Sequence, residues 1–412
     1  MKVVFILIDA FRSDYLSKET TPYLYSIAKS GQYFKEVISS AGYCERTEIF
    51  TGMTPKESGF FTAIGYDPQN SPYRKNRALN FIGMIERLSM HLFNKFAPKI
   101  TIYFRKLILR LFYKSLFANN YLKPYNIPFS WLKYFNLTED SFDHHQNDKF
   151  NSESLFAHIL KMDKTFYYDA FTSLRMMSNG NDANRFQMAL KEISKNNPDF
   201  IPIYFSNSDV SGHKYGPESM QMKIQLTKID KEIKEFISKA LSINKQLTFV
   251  LLGDHGMSTV KKNIDIVQVL NKIIKTHKIN VPNDFIYFLD STLFRMWFFN
   301  KKTKELIISE LNKEKWYSQD GILLDAEIAN KYHLPINDRR YGDLIWWANE
   351  GVQIFPDFFH SEKPYKGMHG YQPLGKQTSG MCIIYSQSIN QLEVPEINLN
   401  DIYSLLKDLL NE

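Results

Sequence analysis

Four short runs in this chain are almost continuously apolar: Val3–Ile8, Phe200–Phe205, Leu247–Leu252 and Met381–Tyr385. Each is rich in β-branched and aromatic residues and is bounded by turn residues. Such runs predict strands covered on both faces, as in a parallel sheet. Between them the period becomes helical. In "MQMKIQLTKIDKEIKEFISKAL" the spacing assigns Ile224, Ile229, Ile233 and Ile237 to one buried face. Strands alternating with helices predict an α/β fold with a doubly wound, mostly parallel sheet. The chemistry of such folds gathers at the carboxyl ends of the strands. No internal repeat or low-complexity tract interrupts the pattern.

One stretch departs from it. Residues 81–117 carry seven Lys or Arg and a single acid, Glu86, so they hold most of the net charge of +7. At about 100° per residue, Lys99, Lys106, Arg110 and Lys114 form one stripe, with Phe104, Ile108, Leu111 and Phe112 opposite. A basic amphipathic helix of this kind fits an anionic membrane interface. It equally fits a cap helix packed on the protein with its basic face solvated. Nucleic acid is not expected as a partner, because no reader motif accompanies the charge. The expected organisation is a core of 1–65 and 197–412, with an inserted, largely helical cap at 66–196.

Composition adds bounds. The chain has 412 residues, 44% hydrophobic and 23% charged, the balance of a folded globular protein. Its two cysteines, Cys44 and Cys382, exclude a disulfide framework and suit a reducing compartment. The N-terminal run Val3–Ile8 ends at Asp9, too short for a secretory h-region of roughly 7–15 residues. No segment has the roughly 18 uncharged apolar residues of a membrane span. The expectation is a cytoplasmic protein, at most peripheral on the inner face of the membrane.

Asp and His recur where the strands end. Asp9 closes "FILIDAF", Asp209 and His213 follow in "SNSDVSGHKYGP", Asp254 and His255 follow in "LLGDHGMS", and His369 lies in "KGMHGY". Singly, an Asp after a strand is usually a helix cap, and a lone His a satisfied polar residue. As a set, three Asp and three His are the ligand mix of two divalent ions of the zinc or manganese kind.

These stretches, with "IDAFRSDYL" and "TGMTPKESG", resemble the alkaline phosphatase superfamily in its type I phosphodiesterase / nucleotide pyrophosphatase branch. They occur in the family's order, and no motif matches between about Tyr66 and Asn196. The resemblance implies one ion held by Asp209, His213 and His369 and another by Asp9, Asp254 and His255, zinc first and manganese as the alternative. Two such ions would clamp the attacking and leaving oxygens of a displacement at phosphorus.

The resemblance fails at the nucleophile. The family's attacking Thr, Ser or formylglycine-forming Cys stands ten residues before the Gly of the "TG" pair. Here that position is Gly42, counted from Gly52. Three readings follow: Cys44 attacks as a thiolate, Ser40 is brought in by a bulge, or solvent activated by the ions attacks directly. Arg46 is the expected anion contact. Phe60, Phe61 and Tyr66, in "FFTAIGYDP", are expected to border the pocket.

The function expected is metal-dependent cleavage of a phosphodiester or pyrophosphate bond, by hydrolysis or transfer, in a phosphorylated small molecule or lipid-linked substrate. The alternatives are a degenerate, membrane-associated binding protein, or a sulfatase or phosphomonoesterase on the same fold.

Overall fold

The computed structural model describes residues 1–93, 98–117, 121–139, 152–171 and 181–412. The strands of its two larger sheets are, in chain order, β1 (Lys2–Ile8), β2 (Gln32–Ile38), β3 (Phe200–Phe205), β4 (Leu247–Leu252), β5 (Phe285–Leu289), β6 (Leu293–Phe298), β7 (Gly321–Leu323), β8 (Leu344–Ala348), β9 (Gly380–Tyr385) and β10 (Leu392–Asn398). The main sheet has the order β10-β2-β9-β4-β1-β3. β1 runs parallel to β3 and β4, and β10 parallel to β2. β9 is antiparallel to both neighbours, where the apolar run at Met381–Tyr385 had suggested another parallel strand.

The apolar runs are continuous because both faces of the sheet are covered. Val4, Ile6 and Ile8 of β1 enter one core cluster, and Val3, Phe5 and Leu7 enter the other. This is the period-two alternation of a strand with apolar partners on each side.

The helices that bear on the site are α1 (Glu45–Thr51), α2 (Arg77–Phe93), α3 (Pro98–Phe112), α4 (Leu155–Lys161), α5 (Asp182–Lys195), α6 (Asn207–Tyr215), α7 (Met220–Ile243) and α8 (Ile402–Asn411). The buried stripe of α7 is Met222, Leu226, Ile229, Ile233 and Ile237. Ile224, expected on that stripe, is exposed. It lies five residues before Ile229, roughly 140° around the helix.

The stretch expected as a cap at 66–196 does not pack as one body. Phe186, Ala189 and Ile193 of α5 join one face of the main sheet. Leu155, Phe156 and Ile159 of α4 join the other. The earlier part of the stretch packs instead against a second, antiparallel sheet of order β7-β8-β6-β5. There Leu79, Ile108, Phe117 and Trp131 share a cluster with Phe288, Phe294 and Trp297. That sheet carries no sequence motif and was not anticipated.

In α2 and α3 the expected division into basic and apolar faces is replaced by a different one. Ile108 is buried, while Phe81, Met84 and Leu88 of α2 and Tyr103, Leu107 and Leu111 of α3 are exposed. The side chains of Lys99 and Phe104 lie outside the described residues. Arg105 turns inward, ion-paired with Glu86 and donating to the carbonyls of Tyr125 and Ile127 at 2.7 Å each. Among the described residues no helix is long and apolar enough to cross a membrane.

Candidate metal centre and active site

Register brings the chemistry to one edge. Ile8 pairs with Phe205, and Leu7 with Leu252, so the three parallel strands end at the same level. Asp9 leaves β1 there, α6 with Asp209 and His213 follows β3, and Asp254–His255 follow β4. His369 arrives from a short strand, Gly367–Met368, paired with Ser258–Thr259.

The six residues gather as two triads. Asp209, His213 and His369 offer ligand atoms within 4.8 Å of one another, and so do Asp9, Asp254 and His255. His213 Nε2 stands 3.1 Å, and His369 Nε2 3.6 Å, from Asp209 Oδ1. His255 Nε2 stands 3.2 Å from Asp9 Oδ1. All six line one cavity of about 390 Å³.

Backbone groups orient the rings. His213 donates from Nδ1 to the Gly367 carbonyl at 2.9 Å, and His255 from Nδ1 to that of Gly256 at 2.8 Å. Each ring therefore turns Nε2 toward its carboxylate, the arrangement seen where imidazole binds a metal. Asp254 Oδ1 accepts from the backbone N–H groups of Ala10 and His255, at 3.1 and 3.0 Å. Tyr204 donates its hydroxyl proton to Asp9 Oδ2.

The charges are crowded. Burial pushes the Asp254 carboxyl up to about 6, against the pull of His255. His255 is held well above the ordinary imidazole value, because the charges of Asp254 and Asp9 outweigh its burial. His369 is driven well below that value by burial and by the positive charge of His255 and His213. His369 Nδ1 and Asp209 Oδ1 are buried without a hydrogen-bond partner. Buried polar atoms are rarely left so. Converging carboxylates and imidazoles with orphaned lone pairs fit divalent cations.

The expected nucleophiles stand elsewhere. Ser40 donates to Glu48 Oε2. Cys44 is buried with Sγ 3.9 Å from Thr138 Oγ1. Neither lines the larger cavity, which is lined at this turn by Tyr43, Glu45 and Arg46. Arg46 spreads its guanidinium over the Tyr204 ring, 5.4 Å from its centroid, on the Asp9 side of the cavity. Phe60, Phe61 and Tyr66 do not border the cavity. Phe61 packs edge-on to Tyr341, and Tyr66 stacks on Trp297. The aromatic walls come instead from Tyr43, Tyr125, Tyr204, Phe359 and Tyr365. Glu45 was missed although it stands between the two residues singled out, in "YCERTE". Tyr125, Phe359 and Tyr365 left no sequence signal, since they come from loops with no motif, while Tyr43 stands in the turn already singled out and Tyr204 in β3.

The geometry agrees with comparison to known proteins. Residues 3–372 match the family described as type I phosphodiesterase / nucleotide pyrophosphatase. Venom phosphodiesterase 2 of Crotalus adamanteus is 24% identical over 227 residues, 52% of this chain and 26% of that protein. Bis(5'-adenosyl)-triphosphatase ENPP4 of Bos taurus is 25% identical over 233 residues, 53% of this chain and 46% of that protein. The chain thus spans from about a quarter to under half the length of these curated relatives. Among solved structures, an inactive variant of murine ectonucleotide pyrophosphatase / phosphodiesterase 5 in complex with AMP superimposes with a TM-score of 0.67 at 17% identity. That alignment covers 100% of this chain and 95% of that one, a likeness of fold. With the match running through nine-tenths of its length, the chain belongs to the type I phosphodiesterase / nucleotide pyrophosphatase family.

Proposed function

We propose that this protein hydrolyses a phosphodiester or pyrophosphate bond at a centre built for two divalent ions. The observation that carries the reading is the convergence of both Asp/His triads on one cavity. Asp209, His213 and His369 would hold one ion, and Asp9, Asp254 and His255 the other, with zinc the first choice for three nitrogens and three carboxylates. Bound there, the ions would supply Lewis-acid stabilisation of charge developing at phosphorus.

The chain's own groups do the rest. The Gly367 and Gly256 carbonyls fix which nitrogen each of His213 and His255 presents. Arg46, on the Asp9 side, would meet a non-bridging phosphoryl oxygen. The aromatic walls would enclose the organic part of the substrate and exclude water. Because Cys44 is absent from the cavity wall and the Ser40 hydroxyl is bound to Glu48, attack by solvent is favoured over attack by either side chain.

The substrate favoured is a lipid-linked phosphate met at an anionic membrane surface. α3 supports this, because its exposed apolar residues lie beside Lys106 and Arg110. The same helix is tied to the cavity walls: Arg105 holds the loop of Tyr125, and Lys106 pairs with Glu362 beside Phe359 and His360. A chain with only two cysteines suits the cytoplasmic face.

The test is turnover of a nitrophenyl phosphodiester and a nucleotide-sugar by protein loaded with zinc or manganese, beside Asp254→Ala. Turnover abolished in that variant supports the reading. No turnover by the unaltered protein with any divalent ion favours a binding role.

A further inference from the structure

We propose that Glu45 holds and aims the water that attacks phosphorus, replacing the side-chain nucleophile that this chain lacks. The inference rests on the hydrolytic reading above and says how that site works without a covalent step.

Position 42 has no room for a nucleophile. Gly42 has φ +118°, and a Cβ there would sit 2.2 Å from the Phe61 carbonyl oxygen. That carbonyl is pinned by the backbone N–H of Tyr43 at 2.9 Å. The turn is therefore built around the absence of a side chain at this point. The next candidates, Ser40 and Cys44, are engaged with Glu48 and placed against Thr138.

Glu45 is the acid that this turn does present to the cavity. It is the first residue of α1 and lines the 390 Å³ cavity together with Asp254 and His255. It also lines a second void of about 10 Å³, shared with Ser40, Gly42, His255 and His369, where the Ser40 hydroxyl is turned to Glu48. That is about the room one water needs. The other acids lining the larger cavity have other calls on them: Asp9 is bound to Tyr204 and His255, Asp254 to backbone N–H groups, Asp290 to Arg295 and Glu139 to the Thr47 N–H, while Asp209 stands between the two imidazoles of its own triad. Its own backbone N–H donates to the Glu45 carboxylate, and among the described residues no other group does so and it forms no ion pair. Its charged neighbours are His255, Asp254 and Glu139. Burial pushes this carboxyl up to about 8, against the pull of His255; from its place on both cavity walls, its ionised form has lone pairs to accept a hydrogen bond from water and set its approach.

The step balances without a further reagent. The water oxygen forms a bond to phosphorus, and the bond from phosphorus to the leaving oxygen breaks, with its electron pair leaving on that oxygen. The proton lost by the water passes through the Glu45 carboxylate to solvent. No phosphorylated side chain forms.

The test uses the full chain loaded with Mn²⁺ and bis-p-nitrophenyl phosphate as probe. Glu45→Gln keeps the shape and removes the charge, and Glu45→Asp serves as a second variant should folding suffer. The expected result is a fall in kcat of at least about 100-fold for Glu45→Gln, the span of a lost acid–base group. KM, Mn²⁺ affinity by calorimetry and the thermal midpoint should stay near those of the unaltered protein. Mass spectrometry of the quenched single turnover should show no phosphoryl adduct. An adduct on any side chain, a kcat within about threefold, or a tenfold loss of Mn²⁺ affinity overturns the proposal. If Asp254→Ala is dead while Glu45→Gln is active, this inference falls and the hydrolytic reading stands. If the unaltered protein neither binds Mn²⁺ nor turns over, both fall.

Discussion

His255 stacks on His369, with ring centroids 4.2 Å apart and planes inclined by 15°. One belongs to each triad, so the two halves of the site touch through their imidazoles. Removing either His should therefore disturb both halves. His369→Ala is expected to weaken binding of the first divalent ion at least about 100-fold and of the second about tenfold, a loss of the size seen for groups that support metal ligands. Calorimetric titration with Zn²⁺ measures both. Loss of one ion with the other unchanged would show that the triads act independently.

Cys44→Ala and Ser40→Ala should each retain activity within about tenfold, because neither side chain lines the larger cavity. Steady-state assay of both against a nitrophenyl phosphodiester decides it. A loss above about 100-fold in Cys44→Ala would restore the thiolate as the attacking group.

Restoring a hydroxyl at position 42 should fail. Gly42→Ser puts a Cβ against the Phe61 carbonyl and forces an L-residue to adopt φ +118°. The expected cost is about 2–4 kcal/mol, strain and overpacking together, with no gain in turnover. Denaturant melts measure the first and a single-turnover assay the second.

Asp290, which lines the cavity without being one of the proposed ligands, gives a pH test. It is fully buried, and burial pushes its carboxyl up to about 6 despite its bond to Arg295 at 2.7 Å. The folded protein then binds this proton more tightly than the unfolded chain, whose carboxyl titrates near 4. The stability this confers is present below about pH 4 and is lost as pH rises through 6. The full excursion is about 3 kcal/mol. Urea melts at pH 5 and 7.5 should show a steeper fall for the unaltered protein than for Asp290→Asn. Parallel profiles would remove Asp290 as the cause.

The exposed apolar face of α2 and α3 predicts binding to vesicles of anionic lipid at low salt, where charge screening is weakest. Leu107→Glu with Leu111→Glu should abolish flotation, since a charge is costly at the depth of an inserted Leu. Unchanged flotation of that double variant would move the docking surface elsewhere.

The sequence by itself determined the core strands and singled out the six Asp and His residues that converge. Short apolar runs rich in β-branched residues and bounded by turn residues read as strands buried on both faces, and Asp9 and Asp254, which closely follow such runs, emerge at a strand's carboxyl end. That is local information, legible before any folding. The pairing of the six residues into triads came with the family resemblance and not from the spacing. Only the tertiary structure decided three further matters. The sense of β9 is set by its neighbours in the sheet, not by its own residues. The occupant of the nucleophile turn depends on the Phe61 carbonyl, which closes the space at Gly42 and leaves Glu45 on the cavity wall. The aromatic walls arise where the loops near residues 125 and 365 meet Tyr43 and Tyr204, and contacts between segments so far apart in the chain leave no periodicity to read. Residue type fixed what chemistry the chain could perform, and packing fixed which groups are free to perform it.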